Sequence, residues 1–207
     1  FRVIELIAPE GTLVNVQYPG PVSLNTTSGG AAAKYVARAV MLQMLATDEG
    51  TREEVMGLNA GSRLVRTAGL NQRGIPYVSG MAQGALSGDG ARATRDGNDT
   101  GGGGYMSCPS VEWAERNFPL LFLFRRHIKD GAGPGKYRGG NGAELAVTAH
   151  DSPEGKIRAV AYGVDGFGNV GRGVCGGYPG APSILIHFEG ARIADELAAG
   201  KQPHEVS

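Results

Sequence analysis

Residues 131–145 read GAGPGKYRGGNGAEL, with six glycines among the first twelve positions and Lys136 and Arg138 between them. A loop of this composition is either a phosphate cradle or a bend between strands, and its flanks decide which. A P-loop needs G-x-x-x-x-G-K-[ST] opening a helix. Here the position five before Gly135 is Asp130, and Lys136 is followed by Tyr137. The dinucleotide fingerprint G-x-G-x-x-G also fails, because positions 136 and 138 are Lys and Arg. Upstream, PLLFLFRRH (119–127) is a continuous apolar run; downstream, AELAVTAH (143–150) alternates, with Leu145, Val147 and Ala149 on one face. Both read as strands. No helix N-terminus is offered to an anion. The stretch is therefore expected to be a wide strand connection, its glycines supplying positive φ, with Lys136, Tyr137 and Arg138 projecting from it.

Glycine is abundant well beyond this loop. Of 207 residues 35 are Gly, more than twice the usual share of roughly 7%. There is no G-X-Y period, and good apolar runs intervene, which excludes collagen and wholesale disorder. Lys plus Arg equals Asp plus Glu, 20 each. That balance gives no nucleic-acid footprint and no acidic tail. Arg outnumbers Lys fifteen to five, which suits fixed bidentate contacts. Cys108 and Cys175 are too few and too far apart for a disulfide framework or a zinc site. No signal peptide and no apolar run near 18 residues is present, so the chain reads as cytoplasmic. It opens on FRVIELIAPEG, as if in mid-strand, and is expected to be a fragment or a processed subunit.

Working outward, residues 1–7 and the short run 13–17 read as strands. Residues 25–50, NTTSGGAAAKYVARAVMLQMLATDEG, form the clearest helix. Thr27 or Ser28 would cap it, and Val36, Ala39, Val40 and Ala46, or Tyr35, Ala39, Leu42 and Ala46, would line one face. Thr51 and Glu54 have capping-box spacing for a brief second helix. Residues 62–70 and 76–81 are ambiguous. Residues 83–105, QGALSGDGARATRDGNDTGGGGY, have little to bury, and so long a loop is usually functional or disordered. Residues 157–164 and 183–188 read as strands, and 191–199 as a short helix ended by Gly200. These readings sum to an α+β, strand-rich fold with one long helix in the first half and Gly-rich loops.

Candidate chemistry is sparse. His127, His150, His187 and His204 have no metal-type spacing and read as structural; no G-x-S-x-G elbow occurs. RDGND (95–99) concentrates charge in the glycine loop. It is either a substrate-gating or catalytic loop, with Asp96 or Asp99 as general base or orienting group, or an Asp-Gly turn with side chains folded on the backbone. VEWAE (111–115) carries Glu112 and Glu115 about the one Trp, and reads as a helical turn with an anchoring aromatic.

These pieces, in order, resemble the hydantoinase B/oxoprolinase family. IELIAPEGTLVN and YPGPVS come first. A helix follows, then GARATRDGNDTGG, then VEWAERNFPLLFLFRRHIKDGAGPGKYRGGNG. The last carries the family's signature at Asp130, Gly133, Pro134, Gly135, Arg138, Gly139 and Gly140. The match is specific over most of residues 1–145 and loose beyond. It implies that residues 1–207 are the second half of such a subunit, with a possible subdivision near 106–118. It further implies a component of an ATP-dependent complex acting on a small carbonyl compound. Members include hydantoinases, 5-oxoprolinase, and acetone and acetophenone carboxylases. ATP and Mg would sit on a hydantoinase A-type partner, and a divalent metal in the family's N-terminal half, so no metal ligand is placed in this chain. GGGGYMSCPSVEWAE (101–115) lacks the histidines of the oxoprolinase branch and looks more like the carboxylase branch. Ketone carboxylation is the leading expectation, cyclic-amide hydrolysis the alternative, and a non-catalytic scaffold the third. The site residues expected are Asp96 and Asp99, with Arg95, Gly97, Lys136 and Arg138 as the loop that meets substrate or partner.

Overall fold

The computed structural model describes residues 7–12, 15–20, 39–57, 63–79, 83–85, 87–100, 109–153, 155–163, 171–202 and 205. The expected strand at 1–7, apart from Ile7, and the helix cap at Thr27 or Ser28 lie outside them; of the run at 13–17, residues 15–17 are described and make no strand, only an isolated bridge between Asn15 and Thr12.

Two small antiparallel sheets carry the molecule. The first is built on β1 (Arg63–Leu70). One edge of β1 pairs with β6 (Arg158–Gly163) from Arg63↔Gly163 to Ala68↔Arg158. The other edge is shared by β3 (Gln83–Ala85) and β2 (Pro76–Val78). The ambiguous runs at 62–70 and 76–81 are thus the arms of a hairpin. Its turn is closed by Asn71, whose Oδ1 accepts from the N–H groups of Arg73 and Ile75, and by Gly74 at φ 73°. Asparagine followed by a glycine in the left-handed region is turn chemistry. At the other end of the hairpin the buried Ser79 Oγ accepts from Thr67 N at 2.7 Å.

The second sheet pairs β4 (Leu120–His127) with β5 (Ala143–Ala149), from Leu120↔Ala149 to His127↔Ala143. Phe122 faces Val147 but Phe124 faces Ala146, so Leu123 is an extra residue in the ladder. Such a bulge bends the strand and re-aims the residues beyond it, here Arg125, Arg126 and His127. α2 (Val111–Asn117) packs on this sheet. Ser110 caps it by accepting from Trp113 N, and Trp113 meets Phe118 edge-on at 5.7 Å. The turn with an anchoring aromatic expected at VEWAE is what forms. Its Glu115 is structural: Oε1 accepts from Phe122 N at 2.8 Å. Ala114 and Phe122 are buried together, with Val111, Phe118, Leu145 and Val147 around them, so the alternating face read in 145–149 is the core face.

Helix α1 (39–47) ends before Gly50, and the remainder of the expected long helix lies outside the described residues. Ala39, Leu42 and Ala46 are its less exposed positions, while Val40, Met41 and Met44 face solvent. The helix expected at Thr51 is a single 3-10 turn, Arg52–Glu54. Thr51 does not cap it; its hydroxyl donates to Leu45 O instead. α3 (Ile193–Ala198) ends at Gly200, φ 90°, as expected. The long structureless loop at 83–105 is corrected at its start, where β3 forms. The strand expected at 183–188 does not form: the segment is irregular. Ile184, Leu185, Ile186 and Phe188 are 53–75% exposed. An apolar run bare on both parities has no ladder partner here to reward extension.

Candidate functional site: two interlocked glycine loops

The connection β4–β5 (128–142) is docked on one side and keeps Lys136 and Arg138 exposed. It lies against residues 87–100, and a third segment, 171–181, closes over it. The contacts are backbone to backbone. Gly140 N donates to Asp89 O at 2.8 Å, Gly97 N to Arg138 O at 2.9 Å and Thr100 N to Asn141 O at 2.8 Å. From the third segment, Tyr178 N donates to Pro134 O and Ala181 N to Gly131 O. Residues 87–100 are pinned on their far side by Gly57 N, which donates to Ala91 O.

Glycine is required here for proximity. A Cβ on Gly140 would run into the carbonyl of Asn98, one on Gly88 into the carbonyl of Gly140, and one on Gly133 into the carbonyl of Tyr178. The expectation that the loop glycines supply positive φ is therefore corrected. Gly131, Gly133, Gly135, Gly139 and Gly140 all lie outside the left-handed region, and the positive φ falls on Asp130, at 55°. Glycine allows two uses, unusual φ and close approach, and this loop makes the second.

Two carboxylates staple the loops. Asp96 Oδ1 accepts from Arg138 N at 2.9 Å, and its Oδ2 lies 3.7 Å from Arg138 Nε. Asp99 Oδ1 accepts from Asn141 N at 2.6 Å, and its Oδ2 faces His127 Nδ1 at 3.8 Å. The fold thus gathers Asp96, Gly97 and Arg138 in one place and Asp99 next to them. Arg95 is exposed, its carbonyl accepting from Arg92 N. Lys136 lies over the Tyr137 ring at 5.4 Å. His127, read as a structural histidine, is the residue the sequence did not connect to this site. It sits 28 positions from Asp99, and only the β4–β5 register brings the two together.

The same accounting answers whether the loop cradles phosphate. A cradle needs free N–H groups aimed at one point. Here Ala132 N donates to Asn141 Oδ1, Arg138 N to Asp96, Gly139 N to Gly133 O, Gly140 N to Asp89 O and Asn141 N to Asp99. The loop then enters β5, not a helix. With five of its N–H groups so committed and no helix behind it, the loop lacks the build of a phosphate cradle. Among the described residues no three His, Cys, Asp or Glu side chains cluster as a metal site requires. Among them also, no helix is long and apolar enough to cross a membrane.

Known proteins resemble this chain in sequence and in fold. The acetophenone carboxylase delta subunit of Aromatoleum aromaticum is 40% identical over 107 residues, 50% of this chain and 16% of that subunit. The nucleotide-free structure of an ATP-dependent acetone carboxylase superposes with a TM-score of 0.52 at 24% identity, covering 69% of this chain and 19% of that one. At that identity the superposition speaks for the fold alone. The chain thus spans less than a fifth of either relative. The hydantoinase B/oxoprolinase family model matches residues 1–206, and the chain belongs to that family.

Proposed function

We propose that this chain is part of an ATP-dependent enzyme complex that activates a small carbonyl substrate, in the manner of a ketone carboxylase. The identity with an acetophenone carboxylase subunit carries this reading. Nucleotide and Mg are proposed to bind a hydantoinase A-type partner, and a divalent metal the family's N-terminal half, with the complex in the cytoplasm. Bound ATP would supply the phosphoryl group that turns a carbonyl oxygen into a leaving group or traps an enolate. This chain's part is positioning and electrostatics. Asp96 fixes Arg138 at the loop surface, Asp99 serves as an orienting carboxylate, and Arg95 and Lys136 are cations available to substrate or partner.

The test is co-expression with a hydantoinase A-type subunit, followed by phosphate release from ATP. The expected result is release stimulated by a methyl ketone with bicarbonate. Release stimulated instead by hydantoin or 5-oxoproline would move the assignment to cyclic-amide hydrolysis. A stable complex whose turnover is indifferent to this subunit's loops would make the chain a scaffold.

Two further outcomes are expected. Calorimetry of the isolated chain with Mg-ATP should give no isotherm, because the loop lacks P-loop register, runs into a strand and not a helix, and has five of its N–H groups already bonded within the protein; micromolar binding would refute this. Sedimentation should not give a well-behaved 21.5 kDa monomer. Ile184, Leu185, Ile186 and Phe188 form a contiguous exposed apolar run, and such patches mark surfaces that associate.

A further inference from the structure

We propose that His127 is a proton-transferring residue of this site, with Asp99 as its positioning carboxylate. The inference rests on the loop pair being the functional site. The stretch 141–143 organises both partners. Asn141 N donates to Asp99 Oδ1, Gly142 O accepts from Ile128 N beside His127, and Ala143 is the ladder partner of His127. Asp99 is therefore fixed through one oxygen and presents the other to Nδ1 of His127, whose backbone is held in β4, at 3.8 Å.

The junction is also held in a disfavoured shape. Thr100, next to Asp99, has φ 51°, a region β-branched residues rarely enter. It is held there by its N–H bond to Asn141 O. Strain that the surroundings over-determine collects at functional sites. The rest of the imidazole is open: the side chain of His127 is 57% exposed. His150, beside Asp151, supplies a comparison. There the nearer nitrogen is Nε2, at 3.5 Å, and the carboxylate belongs to the next residue in sequence.

When the Asp99 carboxylate closes from 3.8 Å to hydrogen-bond distance of Nδ1, it selects the tautomer with hydrogen on Nδ1 and the lone pair on Nε2. That lone pair takes a proton from a C–H beside the carbonyl of a small neutral ketone. The C–H electron pair becomes the C=C bond of the enolate, and the carbonyl π pair moves to oxygen. The imidazolium formed faces Asp99 and, once the enolate carbon has been carboxylated, releases its proton from Nε2 to water, to which the ring is open.

The experiment labels histidine with 15N in the full chain and reads imidazole tautomers at a pH where the rings are neutral, using His127→Gln to assign the signal. Wild type is expected to hold His127 as the Nδ1–H tautomer. In Asp99→Asn the side-chain Oδ1 still accepts from Asn141 N, which turns the amide NH₂ toward Nδ1 and should switch His127 to Nε2–H, with His150 unchanged. A His127 that shows the same tautomer in wild type and Asp99→Asn would overturn the pairing. In the assembled complex, His127→Gln is expected to lower turnover by roughly 10² or more, and the double variant to be scarcely worse than either single one. Full turnover by His127→Gln would overturn the catalytic role. The tautomer is read without turnover, so a wrong substrate class and a wrong dyad give different results.

Discussion

Gly140→Ala is expected to cost about 3–4 kcal/mol and to lower the melting temperature on the order of 10 °C, whereas Gly139→Ala, one residue away, should be close to neutral. The two glycines are indistinguishable in the sequence. At Gly140 a new Cβ would collide with Asn98 O and sit 2.9 Å from Asp99 N. Both are backbone atoms, and neither can turn aside as a side chain would. Moving them breaks the bonds Gly140 N–Asp89 O and Asn141 N–Asp99 Oδ1, which join the loops. At Gly139 the nearest atom is Gly133 N at 3.5 Å, an ordinary contact, and φ lies outside the left-handed region. Alanine there narrows the unfolded ensemble and is expected to change stability by less than ~1 kcal/mol. Gly155→Ala makes a third case, with open space around it but φ 65°, so it should cost about 1–2 kcal/mol from conformation alone. Chemical denaturation of the three variants measures this order. Equal losses at Gly139 and Gly140 would mean that the loops are not in contact as described.

Side-chain pattern made β4, β5, α2 and α3 legible, because each buries a patterned face or ends on a turn residue with a mechanism. The hairpin β1–β2 was less so. Arg63–Leu70 mixes charge and apolar residues, and its strand character depends on having neighbours on both edges. Residues 183–188 failed in the opposite direction. Their pattern favours a strand, but a strand needs a ladder, and none is supplied. The loops were legible as a place and not as a structure. Their cohesion lies in N–H and C=O groups, which every residue carries, so composition reports only that side chains have been removed. For the same reason RDGND could be read either as a site or as a turn. The approach of Asp99 to His127 depends on loop docking and a strand register that no local motif records.

Asp99→Asn should cost the assembled enzyme ~2–4 kcal/mol of transition-state stabilisation while changing stability by no more than about 1 kcal/mol, and Asp96→Asn should show a smaller loss of turnover. The structure explains why asparagine separates the two effects. Each aspartate spends Oδ1 on a backbone N–H, of Arg138 or Asn141. An amide oxygen accepts the same bond without the charge, so the staples survive. The substitution removes only the charge on Oδ2. At Asp96 that oxygen lies 3.7 Å from an exposed Arg138 guanidinium, and exposed pairs contribute little to stability. At Asp99 it faces His127, whose tautomer and imidazolium it governs, so the loss should appear in rate. Alanine removes the acceptor as well. Asp99→Ala and Asp96→Ala hand Asn141 N or Arg138 N to water at an exposed site, and are expected to cost a further ~0.5–1.5 kcal/mol in stability, the net worth of one hydrogen bond. Steady-state rates and melts on the four variants distinguish a working loop from a purely structural staple. In the second case both asparagine variants would keep full turnover and only the alanine variants would suffer, through stability. Such an outcome would remove Asp96 and Asp99 from the chemistry and leave the interlocked loops as architecture.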